Sequence, residues 1–244
     1  MPYPRPPITE AVIEIRVQGP IDREHLDRVQ KRALARFPLS EELAHVGLRV
    51  EFPTPAAQAK IQHDWAGYKL SNVDRTDFLS IGPNVLNVSR LSPYPGWEAF
   101  SLGARQQWDE WKRIVGHQKI VRIGVRYINR IDVPLLERSV IDVEDYLTFH
   151  LTLPKIGLPA MTNFTVHARM PLGSDDCQLA LNSAATPSPL IGHISFILDL
   201  DLSKENEVPQ RDEDIWILIE RMRDHKNHVF EACITDKARE LFSR

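Results

Sequence analysis

Residues 119–133 alternate with a period of two for their whole length. Val121, Ile123, Val125, Tyr127, Ile131 and Val133 fall on one side, and Arg122, Arg126, Arg130 and Asp132 on the other. Asn129 interrupts the apolar side. Only an extended strand separates odd from even positions in this way; a helix would wrap both classes around one axis. A strand this long with one polar face belongs in an antiparallel sheet that is covered on one side only. At ~3.3 Å per residue its three arginines stand about 13 Å apart on the uncovered side.

The same period opens the chain. In Ala11-Val12-Ile13-Glu14-Ile15-Arg16-Val17 the odd positions are apolar, Glu14, Arg16 and Gln18 share the other face, and Glu10 stands at the entry. Asp22 then suits a helix N-cap, and Leu26, Val29, Ala33 and Phe37 recur at helical spacing until Pro38 stops the run. Short strands are predicted at Val46–Phe52, Trp65–Val73, Asp77–Ile81 and Val85–Leu91, the last two joined by Gly82-Pro83-Asn84. Trp97, Phe100, Ala104, Trp108, Trp111 and Val115 describe a long helix. Its tryptophans are expected to form core against the sheet rather than a stacking platform, because large aromatics dominate core burial.

After the long strand a second cycle is predicted. It has a short helix around Val140–Tyr146, strands at Thr148–Leu153, Thr162–Met170, Cys177–Leu181 and His193–Leu202, and a closing helix from Asp212. That helix carries the stripe Ile215, Leu218, Ile219, Met222, Val229, Phe230 and Cys233, and Thr235 or Asp236 caps a last turn. The two cycles lie roughly 110 residues apart, far longer than the ~20–50 residues of a solenoid repeat. The expected fold class is therefore α+β, an internally duplicated unit of strand, helix, antiparallel meander and long helix. One domain, 1–244, is expected, with pseudo-equivalent halves at about 1–117 and 118–244; the linker candidates at 115–117 and 134–136 are too short and apolar to be tethers.

Composition narrows the function classes. The 30 Lys+Arg nearly balance the 33 Asp+Glu, which disfavours bulk attraction to nucleic acid. No apolar run approaches the ~18 residues of a membrane span, and the proline-rich start lacks a secretory h-region, so a cytoplasmic location and no membrane partner are expected. The 2 Cys, Cys177 and Cys233, share no metal-ligand or redox spacing. With 11 Gly and neither GxGxxG nor GxxxxGK[ST], phosphate-loop chemistry is excluded.

Arginine outnumbers lysine 21 to 9, and the row on the long strand is where that excess is ordered. Planar guanidinium forks suit phosphate or carboxylate. If the first strands of the two halves are equivalent, Glu10, Glu14 and Arg16 form the matching face. Two readings stand: a ladder of cross-strand ion pairs holding the halves together, or an anion-binding groove. The expected function is a non-enzymatic binding or interaction protein. Its Arg/Glu-lined cleft, bearing Glu10, Glu14, Arg16, Arg122, Arg126 and Arg130, receives an anionic small molecule or a partner protein. The alternative is a phosphate- or nucleotide-processing enzyme with carboxylate-bound Mg²⁺ and the arginine row on phosphate. No catalytic residue, metal ligand set or cofactor is expected. His225 and His228 lack a third ligand, so His225 is read as a packed helix histidine. His167 and Arg169 share one strand face, and Cys177 follows two aspartates that blunt its reactivity.

Tyr3, Pro6-Pro7-Ile8-Thr9-Glu10-Ala11-Val12, Pro95-Gly96-Trp97-Glu98-Ala99-Phe100, Arg126-Tyr127-Ile128-Asn129-Arg130-Ile131 and the closing Phe230-Glu231 and Thr235-Asp236 together resemble a sporadically distributed, uncharacterised prokaryotic family of about this length. The resemblance implies a stand-alone cytoplasmic protein and carries no residue role. The mixed Glu/Arg face is also similar to the lining of triphosphate-tunnel enzymes, from which it departs at Val12, where that family alternates charges more closely. Pro6-Pro7 predicts an extended arm over Tyr3–Ile8, and Asn129 is expected to bond backbone of that arm or of a neighbouring loop.

Overall fold

A computed structural model describes residues 3–51, 58–135, 141–152, 163–173 and 175–243. The strands are β1 (Ile8–Val17), β2 (Leu39–Glu51), β3 (Gln58–Ser71), β4 (Asp77–Gly82), β5 (Val85–Leu91), β6 (Ile120–Pro134), β7 (Thr165–Leu172), β8 (Cys177–Pro187) and β9 (His193–Lys204). The helices are α1 (Arg23–Ala33), α2 (Trp97–Val115), α3 (Asp212–Cys233) and α4 (Asp236–Phe242). The strands hydrogen-bond in the order β2-β3-β4-β5-β1-β6-β9-β8-β7, antiparallel throughout. The chain divides into two compact units, one of residues 14–90 and 96–120, the other of residues 1–13, 91–95 and 121–244.

In the unit of residues 14–90 and 96–120, β2 to β5 form a meander whose last strand bonds β1, and α1 and α2 pack together. Ile15 and Val17 are buried with Leu70, Leu79, Ile81 and Leu86. Trp108 and Trp111 stack at 5.2 Å between ring centroids and are buried, so these two are core as expected, while Trp97 lies half-buried, edge-on to Phe100. The β2–β3 pairing shifts by one residue beside Gly67, whose φ of 130° is closed to ordinary side chains. α2 stops at Gly116, with φ 83°, where a left-handed residue frees the chain from the helix.

In the other unit β6 bonds β9, β9 bonds β8 and β8 bonds β7. Ile123, Val125, Tyr127, Ile131 and Val133 are buried, with Leu198, Leu200 and Leu202 from β9 and Ile215, Ile219 and Met222 from α3. Asp212, Glu213 and Asp214 open α3, where acidic groups complement the helix dipole. Thr235 caps α4 by accepting from Ala238 N, as its sequence position predicts. The arm preceding β1 bends at Pro4 and Arg5 rather than running extended throughout, and it is tied down: Tyr3 Oη donates to Glu231 Oε1 at 2.7 Å, Arg5 N to Phe242 O at 3.2 Å and Arg130 N to Pro7 O at 2.8 Å.

Three expectations are corrected here. The helix predicted around Val140–Tyr146 is a single 3-10 turn, Val143–Asp145, with 136–140 outside the described residues. Residues 148–152 form no strand, because Thr148 is taken up by the end of α3: its N donates to Cys233 O and its Oγ1 to Ala232 O. Among the described residues Asn129 bonds neither the arm nor a loop. It lies directly opposite Leu198 in the β6–β9 register, and its Nδ2 donates to Leu198 O at 3.0 Å.

Candidate functional site

The uncovered face of β6 continues across β9, β8 and β7 because opposite residues of antiparallel strands share a face. In this register Asp199 lies opposite Ile128 and Asn182, and Asn182 opposite His167. A polar chain follows the row. His167 Nδ1 hydrogen-bonds Asn182 Oδ1, Asn182 Nδ2 donates to Asp199 Oδ2 at 3.1 Å, and Arg126 Nε and Nη2 donate to the two oxygens of Asp199 at 2.8 Å each. The Asp199 hydrogen bond is the largest influence raising the Arg126 pKa, against the cost of burial; Glu10 adds a minor through-space attraction. Asp199 is 7 % exposed, so removing its partner leaves a nearly buried charge uncompensated, a larger loss than breaking an ordinary surface bridge.

The other expected residues are placed as follows. Arg122 Nε donates to Glu205 Oε1 at 3.1 Å, and its Nη2 lies 3.7 Å from Asp201 Oδ2. Gly124 lies beneath that guanidinium: a β-carbon there would stand 2.7 Å from Arg122 Nη1. Arg130 Nε donates to both oxygens of Asp132 at 3.1 Å, and Asp132 Oδ1 also accepts from Ser188 at 3.0 Å and from Ser195. The carboxylates on the row therefore come from β9, from the residue after it and from β6 itself. Glu14 and Arg16 pair with each other on β1, Arg16 Nε to Glu14 Oε1 at 2.8 Å. Glu10 and Glu14, four residues apart on one strand, are separated by about 13 Å of extended chain. Among the described residues no group of three His, Cys, Asp or Glu side chains is placed to hold a metal ion.

Beside the polar chain the face sinks into a hollow of about 290 Å³. Ala180 lies opposite both Arg169 and Asp201 in the β7–β8–β9 register, and its short side chain leaves the middle of that row empty. Arg122, Arg169, Asp176, Asp201 and Glu205 supply the charges around it, and Gln178, Ser203 and Asn206 supply amides and a hydroxyl. Arg169 is exposed. Asp176 sits at φ 53°, in the left-handed region that costs a side-chain-bearing residue energy.

A second cluster was not anticipated. Lys226 of α3 is only 5 % exposed, with Nζ 3.8 Å from the centroid of the Tyr127 ring. Burial, and then the neighbouring Arg223, push its pKa down to about 7 against a weaker pull from Glu231. Tyr127 Oη and Tyr94 Oη are 2.9 Å apart, and burial is the largest cause raising both phenols, Tyr94 to about 12. The sequence signal was present: Lys226 stands four residues after Met222 and four before Phe230, inside the apolar stripe. His225, one position before it, is half-buried, with Nε2 3.5 Å from Asp175 Oδ2. Cys177 and Cys233 are both buried, and burial first of all raises each thiol to about 11; for Cys177 the aspartate neighbours add to it.

No protein-family model matches the chain, and no curated protein matches it.

Proposed function

We propose that this chain is a non-enzymatic binding or interaction protein, and that its Arg- and Glu-bearing strand faces hold an anionic small molecule or a partner protein. The observation that carries the reading is an ordered row of three guanidiniums beside an open polar hollow. Glu10, Arg122, Arg126 and Arg130 are the proposed contact residues in one unit, Glu14 and Arg16 in the other. Of these, Arg122 and Arg130 are best suited to exchange partners. Glu205 on Arg122 has a side chain 66 % exposed, and Asp132 retains two serine hydroxyls when Arg130 turns away. Glu205, the exposed member of the Arg122 pair, is the partner an incoming anion displaces at least cost.

The two-copy reading of the chain draws support from strand order. In each cycle the opening strand bonds the last strand of its own meander, β1 to β5 and β6 to β9, and a long helix follows, α2 or α3. Duplication gives the arginine row on β6 a counterpart position on β1.

The test is mass spectrometry of the small molecules and polypeptides that copurify with the chain from its native cell, repeated with Arg130→Ala. The proposal expects a defined copurifying species that the variant loses while its thermal midpoint stays within about 3 °C of the parent, the shift of a ~1 kcal/mol change in a chain this long. Identical copurification with Arg130→Ala and with Arg122→Ala overturns it.

A further inference from the structure

We infer that the hollow beside Arg122 is a binding site for a small zwitterion of the α-amino-acid class, with its carboxylate held by Arg169 and Arg122 and its ammonium by Asp201 and Asp176. The inference rests on the binding reading above and names the ligand of that face. Two guanidiniums and three carboxylates surround one small volume, about 290 Å³, at the lower end of the ~300–1,000 Å³ of drug-sized pockets. A phosphate-like anion placed there meets three carboxylates at close range, and a diamine meets two guanidiniums. A ligand with one charge of each sign finds a partner for both. Ser203, Gln178 and Asn206 add a hydroxyl and two amides, groups that suit the remaining polar atoms of such a ligand.

The parts differ in how freely they rearrange. Arg122 is held down over Gly124, with its side chain 15 % exposed, so the hollow has one fixed guanidinium. Arg169 is exposed on β7 and among the described residues has no side-chain partner, so it is available to close a bidentate clamp on a carboxylate. Glu205, largely exposed, is the acid that gives way when a ligand carboxylate reaches Arg122. Asp201, 33 % exposed and opposite Ala180 across the strand pair, remains as the anion for the ammonium.

Calorimetric titration of the full chain with each of the proteinogenic amino acids, their N-acetyl derivatives, inorganic phosphate and 1,4-diaminobutane tests this. At least one free amino acid is expected to bind, with affinity lowered tenfold or more by N-acetylation, by Arg169→Ala and by Asp201→Asn, since each removes one charge-assisted contact. Equal binding of the N-acetyl compound overturns the assignment, as does binding of diaminobutane alone or no binding of any amino acid. Phosphate binding that is lost in Arg169→Ala overturns the zwitterion but leaves the anion-binding reading standing. Failure of every probe, together with unchanged copurification in Arg130→Ala, removes both.

Discussion

Arg126 and Arg130 lie four residues apart on one strand face, yet the groups they neutralise differ in burial. Asp199 is almost enclosed, and without Arg126 it keeps, among the described residues, only the Asn182 amide as a side-chain donor. A nearly buried carboxylate stripped of a bidentate partner costs about 2 kcal/mol, or roughly 4–8 °C in a chain of this size. Arg126→Ala should therefore lower the thermal midpoint by that amount, whereas Arg130→Ala, which leaves Asp132 with both serines, should hardly move it. Differential scanning calorimetry of the two variants separates these outcomes, and equal midpoints would contradict the assignment of Asp199 as the enclosed partner. Sequence placed both arginines on the right face because strand alternation fixes the side to which a residue points. It did not supply their partners, since the β6–β9 register depends on a strand more than sixty residues away.

At the scale of elements, α2 was legible to its ends: aromatic spacing set its face, and Gly96 and Gly116 bracket it. β2 was less so. It begins at Leu39, straight after Pro38, where polar residues hide the alternation, and only Val46 onward reads as a strand. Residues 148–152 carry β-forming side chains, but Thr148 gives its backbone N–H to the end of α3, a tertiary choice that local propensity does not contain. The β2–β3 bulge yields a sharper test. A β-carbon on Gly67 would lie 2.0 Å from Ile81 O and 2.9 Å from Gly82 Cα, both backbone atoms that cannot swing aside. Gly67→Ala should cost about 3 kcal/mol or more by urea denaturation. Gly19→Ala is the matched control: its φ is 77° but nothing lies within 4 Å, so only the conformational cost of about 1 kcal/mol remains. Similar losses in the two variants would refute the close contact.

For the whole chain, Lys226 sets a direction for stability against pH. Its pKa is about 7 when folded and near 10.5 when unfolded, so between those values the unfolded chain holds a proton that the folded chain lacks. Raising pH from 7 therefore favours folding, and the penalty of a buried ammonium is fully felt below 7. Above about 9 the raised thiol and phenol values act oppositely, because those groups ionise first in the unfolded chain. Lys226→Met should be more stable than the parent at pH 6, with the difference shrinking steadily toward pH 10. A constant difference in chemical-denaturation free energy across that range would show that the amine does not change its charge on folding. The position of Lys226 inside the stripe of α3 was visible but not its burial, since a lysine among apolar neighbours reads equally as a chain snorkelling to solvent.

The turn between β7 and β8 has a further consequence. Asp175 is fastened from several sides: its carbonyl accepts from Lys204 Nζ at 2.6 Å, its Oδ1 from Arg221 at 2.9 Å, and its Oδ2 lies near His225. The next residue, Asp176, lines the hollow. One peptide step thus joins the rim of the hollow to the solvent-facing side of α3, so an occupant of the hollow is expected to be felt at the helix. An occupant that holds Asp176 in its left-handed conformation must also slow the opening of α3 around Arg221 to His225, so amide hydrogen exchange in that turn of helix should report ligand binding without any contact to the ligand. Exchange there that ignores a saturating ligand would break the link. Where the link holds, the helix serves as a remote gauge of occupancy only in a chain where Asp175 keeps its moorings, and Asp175→Ala should silence it.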